Sequence, residues 1–95
     1  MKTINLNRYS PIISDKIAGD EIYSTIINEL SRNDAVSIDL DGIKSMATFC
    51  AKQIFGKLYL ELGPNTFFQK IALRNASNDV KTIIKIGIQN ALEDA

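Results

Sequence analysis

The apolar residues of this chain recur at two spacings, every second position or every third to fourth, and the switches between them mark its elements. Ile4 and Leu6 flank Asn5, which predicts a short, half-exposed strand ended by Pro11. Ile22, Ile26, Ile27 and Leu30 follow at helical spacing. Ser14 or Asp15 offers a cap for an early start of that helix, whereas Gly19 and Asp20 favour a later one. Asn33 and Asp34 supply turn chemistry after it. Val36, Ile38 and Leu40 then alternate with Ser37, Asp39 and Asp41, as in a strand with one apolar face and a second face that is not completely buried. Asp41-Gly42 is a turn signal, and the alternation does not resume after it, so a tight hairpin is not expected.

Ala47, Ala51, Ile54, Phe55, Leu58 and Leu62 return to helical spacing, with Lys52, Gln53, Lys57 and Glu61 on another face. This predicts an amphipathic helix capped by Ser45 or Thr48 and stopped by Gly63-Pro64. The stretch FQKIALR, residues 68–74, reads as a third strand with Ile71 and Leu73 inward, and Phe67 and Phe68 close one end of the core. The last segment places Val80, Ile83, Ile84, Gly87, Ile88, Ala91 and Leu92 on one wide helical face. Gly87 costs about 1 kcal/mol in propensity, which a close approach of this helix to the sheet would offset.

The order strand, helix, strand, helix, strand, helix favours parallel pairing with right-handed crossovers. The expected architecture is a small α/β domain with a three- to four-stranded, mixed or mostly parallel sheet and about three helices. A fourth strand between Asn7 and Ser14, or a partner chain, would complete the sheet edge.

The length of 95 residues predicts a single domain, 1–95, with one modest core. Eleven basic and eleven acidic residues cancel, so no general pull toward nucleic acid or an anionic membrane is expected, and little charge repulsion opposes self-association. The start of the chain is too polar for a signal peptide and no apolar run has membrane-spanning length, which predicts a cytoplasmic protein. The chain has no histidine, which excludes His-based acid–base chemistry, Ser-His-Asp and Cys-His arrangements, and His-containing zinc sites. Its single cysteine excludes an internal disulfide.

Few residues offer chemistry of their own. Cys50 sits near a helix start, where a helix dipole favours thiolate, but it has no histidine base and reads more simply as a small packed side chain. Asp39 and Asp41 share a strand face, a geometry that suits Mg²⁺ or acid–base work, yet no phosphate loop accompanies them and Asp41 fits a turn. Lys44, Lys52, Lys57 and Lys70 are scattered, and the i, i+4 pair Lys81 and Lys85 is interrupted by Asp79, Glu93 and Asp94, without the clamp or aromatic platform of a nucleic-acid module. Ser45 and Thr48 read first as caps and second as phosphorylation sites.

The series Asp39-Leu40-Asp41-Gly42-Ile43, Thr48-Phe49, Phe55-Gly56-Lys57-Leu58, Glu61-Leu62-Gly63, Phe68, IALRN and VKTIIKIGI resembles the STAS-like domains of unknown function known as DUF4325, over roughly residues 14 to 90. That family is similar to the STAS domains of anti-sigma factor antagonists. The resemblance implies a small α/β fold and a regulatory or adaptor role. It also implies binding to a partner protein, an ATP-binding kinase-like regulator among the candidates, with catalysis residing in that partner. Some such relatives are controlled by phosphorylation at the start of the helix that follows a central strand. In this chain Thr48 keeps a hydroxyl there, but Phe49 stands nearest the switch position, and Lys52 and Gln53 replace two expected acidic residues.

The expectation is therefore a non-catalytic protein-binding domain that needs no cofactor and no metal. Lys44, Ser45, Thr48, Phe49, Lys52 and Lys57 form its contact surface, and Thr48 is the candidate phosphorylation site. The alternatives are a homodimerisation module and a small enzyme using Asp39, Asp41 or Cys50.

Overall fold

Asp15, rather than a residue beyond Gly19, starts the first helix: its carboxylate accepts the Ala18 N–H at 2.9 Å. The computed structural model describes all 95 residues. In chain order the elements are β1 (Lys2–Asn5), β2 (Ile12–Ile13), α1 (Lys16–Leu30), β3 (Val36–Asp39), β4 (Ser45–Met46), α2 (Thr48–Ala51), α3 (Lys57–Leu62), α4 (Pro64–Lys70), β5 (Ile71–Arg74) and α5 (Asn78–Glu93). A single 3₁₀ turn, Asn7–Tyr9, follows β1, and a π turn, Lys52–Gly56, joins α2 to α3 in one helical run.

The main sheet has the order β1-β3-β5, all parallel, so both crossovers carry a helix. The strand sought between Asn7 and Ser14 exists as β2. It pairs in parallel with β4 in a separate two-stranded sheet, so it does not extend the edge of the main one. Val36, Ile38 and Leu40 are fully buried, as alternation requires. Ser37, on the other face of β3, is fully buried too, contrary to the open face that its polarity implied. Its hydroxyl makes no hydrogen bond, a burial that costs about 1–3 kcal/mol, while the small size of serine lets the central strand be covered on that face.

The second helical run departs from expectation at its start. Ser45 belongs to β4 and Thr48 is the first helical residue; the N-cap is Ala47, which has no capping side chain. At its end, Gly63 adopts φ 81° and ψ 161°, a conformation that a side chain strongly disfavours. Pro64 does not merely stop the chain there. Its fixed φ suits the first position of α4, an additional helix that takes in Phe68, Gln69 and Lys70, the first three residues of the expected strand. The third strand therefore begins at Ile71. Phe67 is buried as expected, while Phe68 is exposed.

The helical run 48–62 lies between α1 and α5, and its contact with α5 is the most extensive in the molecule. Gly87 serves this contact: it meets the backbone of Ala51 rather than the sheet. Gly56 in turn faces Ala91 and the Gly87 carbonyl. On the opposite flank, Gln53 occupies the space a side chain at Gly19 would fill and donates to the Lys16 carbonyl at 3.0 Å. Gly19 thus admits a neighbouring helix and does not delay its own. One continuous apolar cluster unites the sheets and helices around Phe55, Ile54, Ile38 and Ile22.

Candidate functional site

The start of α2 is held by a strap from the N-terminal segment. The Pro11 carbonyl accepts the Lys44 N–H at 2.7 Å, and the Ile13 carbonyl accepts the Ala47 N–H at 2.8 Å. Ile12 and Ile13 lie in register with Ser45 and Met46. The loop between β3 and α2 is thereby fixed by backbone bonds from a segment distant in sequence.

From this anchored start the candidate residues diverge. Phe49 projects from the first turn and is 54% exposed, a large apolar surface for a residue so near a core helix. With Leu60, itself exposed, and Ala91 from α5 it lines a shallow groove of about 360 Å³. Lys52, Gln53, Lys57 and Asp94 supply its polar edges. Lys52 is not a free cation, because it forms an ion pair with Asp94. Lys57 is exposed and places its Nζ 4.3 Å from the centre of the Tyr23 ring, a cation–π contact.

Lys44 lies elsewhere, in a cleft at the carboxyl ends of β3 and β5 with Asp41, Gly42, Asn75 and Ser77. Ser45 is half-buried in β4. Thr48 is exposed beside Phe49 but does not line the groove, and neither hydroxyl caps the helix. The structure thus brings Phe49, Lys52 and Lys57 together and separates them from Lys44 and Ser45. Leu60, Ala91 and Asp94 complete the groove without having been singled out. Leu60 carries a readable signal, since it is apolar yet lies out of phase with Leu58 and Leu62.

The groups considered for catalysis are engaged structurally. Asp39 accepts the Asn75 side-chain amide and the Asp41 N–H, each at 3.0 Å. Those bonds, the Asn75 one first, hold its carboxyl below the usual range. Asn75 sits at φ 57°, which asparagine tolerates better than most residues, and so can reach across from the end of β5. Asp41 sits in the turn closed by the Ile43 N–H to the Leu40 carbonyl at 3.0 Å, and its own carbonyl accepts from the Asn7 side chain at 3.3 Å. No three acidic or sulfur-bearing side chains gather into a metal-binding group. Cys50 is fully buried, with Sγ 3.5 Å from the Asp15 carbonyl oxygen. Burial first, and the Asp15 charge second, push its thiol pKa up and oppose thiolate formation.

No helix is long and apolar enough to cross a membrane. No curated protein matches the chain significantly. No solved structure does so either. The family model described as the STAS-like domain of unknown function, DUF4325, matches residues 18–81, from the first turn of α1 into the first turn of α5. The α/β architecture with parallel strands agrees with the fold expected from the resemblance. With more than half of its length matched, the chain belongs to the DUF4325 family of STAS-like domains of unknown function.

Proposed function

We propose that this chain is a non-catalytic regulatory or adaptor domain of the cytoplasm, acting as one unit over residues 1–95, which binds a partner protein through the Phe49–Leu60 groove. The observation that carries this reading is the joint exposure of Phe49 and Leu60 on a helical run whose Ile54, Phe55 and Leu58 are buried in the core. An exposed aromatic beside a second apolar residue is an efficient interface anchor. The resemblance of such STAS-like domains to anti-sigma factor antagonists favours an ATP-binding, kinase-like protein as the partner. Lys57 and the Lys52–Asp94 pair form the polar rim, where charges set orientation and association rate more than affinity. Thr48, exposed beside Phe49, extends the contact, whereas Lys44 and Ser45 lie apart from the groove.

Thr48 is the proposed phosphorylation site. It is exposed at the first position of a helix that has no side-chain cap, where a phosphate would meet unsatisfied amides and the positive end of the helix dipole.

Affinity capture from the native host tests the surface. The doubly substituted Phe49→Ala, Lys52→Glu chain should lose an ATP-binding protein that the wild-type chain retains, while circular dichroism shows both folded. Retention of every partner by the folded variant sinks the proposal. For the switch, Thr48→Asp should alter binding and phosphopeptide mapping should find Thr48 modified; an unmodified Thr48 with unchanged binding rejects it.

A further inference from the structure

Strand β5 is the end member of the main sheet, and no strand pairs with its outer side. The Arg74 carbonyl accepts the Leu40 N–H at 2.8 Å, so Arg74 bonds toward β3. In a parallel ladder the residues that bond to one neighbour alternate with those that face the other side. The N–H and C=O of Leu73 therefore face the open edge.

An apolar slot of about 250 Å³ lies beside that edge. Phe67 and Phe68 from α4, Leu73 from β5, and Ile84 and Ile88 from α5 form its walls. Phe68 is 70% exposed and meets Phe67 edge-to-face, with ring centres 5.3 Å apart. The slot's only other lining residues are Lys81 and Lys85, one turn apart on α5. Both are exposed and neither joins any of the ion pairs of the molecule. No acidic side chain lines the slot.

We propose that β5 and this slot dock an extended, acidic segment of a partner protein, added as a strand along the open edge. Main-chain bonds to Leu73 set its register, as in other strand additions. The period of two then sends alternate side chains toward the slot, where an apolar residue covers Phe68 and carboxylates two positions to either side of it reach Lys81 and Lys85. A second copy of this chain fits less well, because pairing two β5 edges would crowd four lysines at one seam. No residue lines both this slot and the Phe49–Leu60 groove, so the site is additional to the proposed regulatory surface.

The probe is the blocked peptide Ac-Thr-Glu-Thr-Leu-Thr-Asp-Thr-NH₂, whose Leu and two acidic side chains share one strand face, titrated into the whole chain while amide exchange is followed by NMR. It should bind and slow exchange of the Leu73 N–H by at least about tenfold, as expected for a newly bonded edge amide. Phe68→Ala and the Lys81→Glu, Lys85→Glu pair should each weaken binding by about tenfold or more without lowering the melting temperature. Methylating one alternate set of peptide amide nitrogens should abolish binding, and methylating the other set should leave it. The proposal is overturned by absence of binding, by binding that leaves Leu73 exchange unchanged, or by equal binding of a peptide with lysine at every acidic position. It is equally overturned by Leu73 protection that exists without peptide and fades on dilution, which identifies a second copy as the occupant. Binding to phosphatidylserine vesicles but not to the peptide likewise overturns it, in favour of a membrane surface.

Discussion

Gly87 rests on Ala51 so closely that a Cβ at Gly87 would lie 2.6 Å from the Ala51 carbonyl carbon. Helix propensity favours alanine over glycine by about 1 kcal/mol, so an isolated α5 would gain from Gly87→Ala. In the folded chain the added methyl meets backbone, which no rotamer change can move aside. Overpacking of that kind costs about 1–3 kcal/mol, and more where backbone must shift. Gly87→Ala should therefore be net destabilising, by about 1–2 kcal/mol in a urea titration. A more stable variant would show that α5 and α2 are not in this contact.

Gly63 should resist substitution for a different reason. Nothing lies within 4 Å of a Cβ there, so space is not the issue. Its backbone conformation is one that L residues avoid, and Gly63→Ala should cost about 1–3 kcal/mol through strain. Equal melting temperatures for Gly63→Ala and the wild type would contradict the joint between α3 and α4 described above.

Asp39 should titrate below an ordinary carboxylate because Asn75 and the Asp41 N–H stabilise its charged form. Its folded pKa lies below its unfolded one. Its contribution to stability is thus present above the unfolded pKa, about 3.9 for aspartate, and is lost as pH falls through the folded value. Carboxyl NMR should show the Asp39 midpoint rising in Asn75→Ala. An unchanged midpoint would remove the Asn75 bond as its leading cause.

Tyr23 should be the late-titrating tyrosine. Burial first, then its hydrogen bond to Glu61, push its pKa up to about 12. The protonated ring is the form that the fold favours. Its contribution is fully present below about pH 10, the unfolded pKa of tyrosine, and is lost as pH rises through about 12. Ultraviolet titration should show a tyrosinate step near the upper value that disappears in Tyr23→Phe and moves down in Glu61→Gln. Persistence of that step in Tyr23→Phe would assign it to another residue.

Cys50 should resist thiol reagents at pH 8 until the chain unfolds, because it is enclosed and its pKa is raised. Labelling with a chromogenic disulfide should proceed at the rate of opening and become rapid in guanidinium chloride. Fast labelling of the native chain would return the thiol to the list of reactive groups.

What the sequence made legible was local. The alternation of Val36, Ile38 and Leu40 reports a strand because side-chain direction is set residue by residue. The helical series from Ala51 to Leu62 survives even a π turn because its apolar face remains continuous. By contrast, Phe67, Phe68 and Ile71 are close together in a short run that fits helix or strand, and tertiary packing decided for α4 up to Lys70. Ser45 lost its expected capping role to a two-residue ladder whose partner lies more than thirty positions away. The groove was half visible, since Phe49 stands on a polar helical face. Ala91 and Asp94 reach it only through the packing of α5 against the π turn, and that packing depends on Gly56 and Gly87 together.

The strap from Pro11 and Ile13 bears on which residues support the proposed Phe49 surface. The family match starts at residue 18, after β1 and β2. A chain trimmed to that span would strip β3 of one neighbour and leave β4 without its partner. The Lys44 and Ala47 amides would lose their acceptors at the very entrance to α2. The first seventeen residues are thus a built-in splint for the Phe49 surface, and a shortened version would present that aromatic on a loosened hinge.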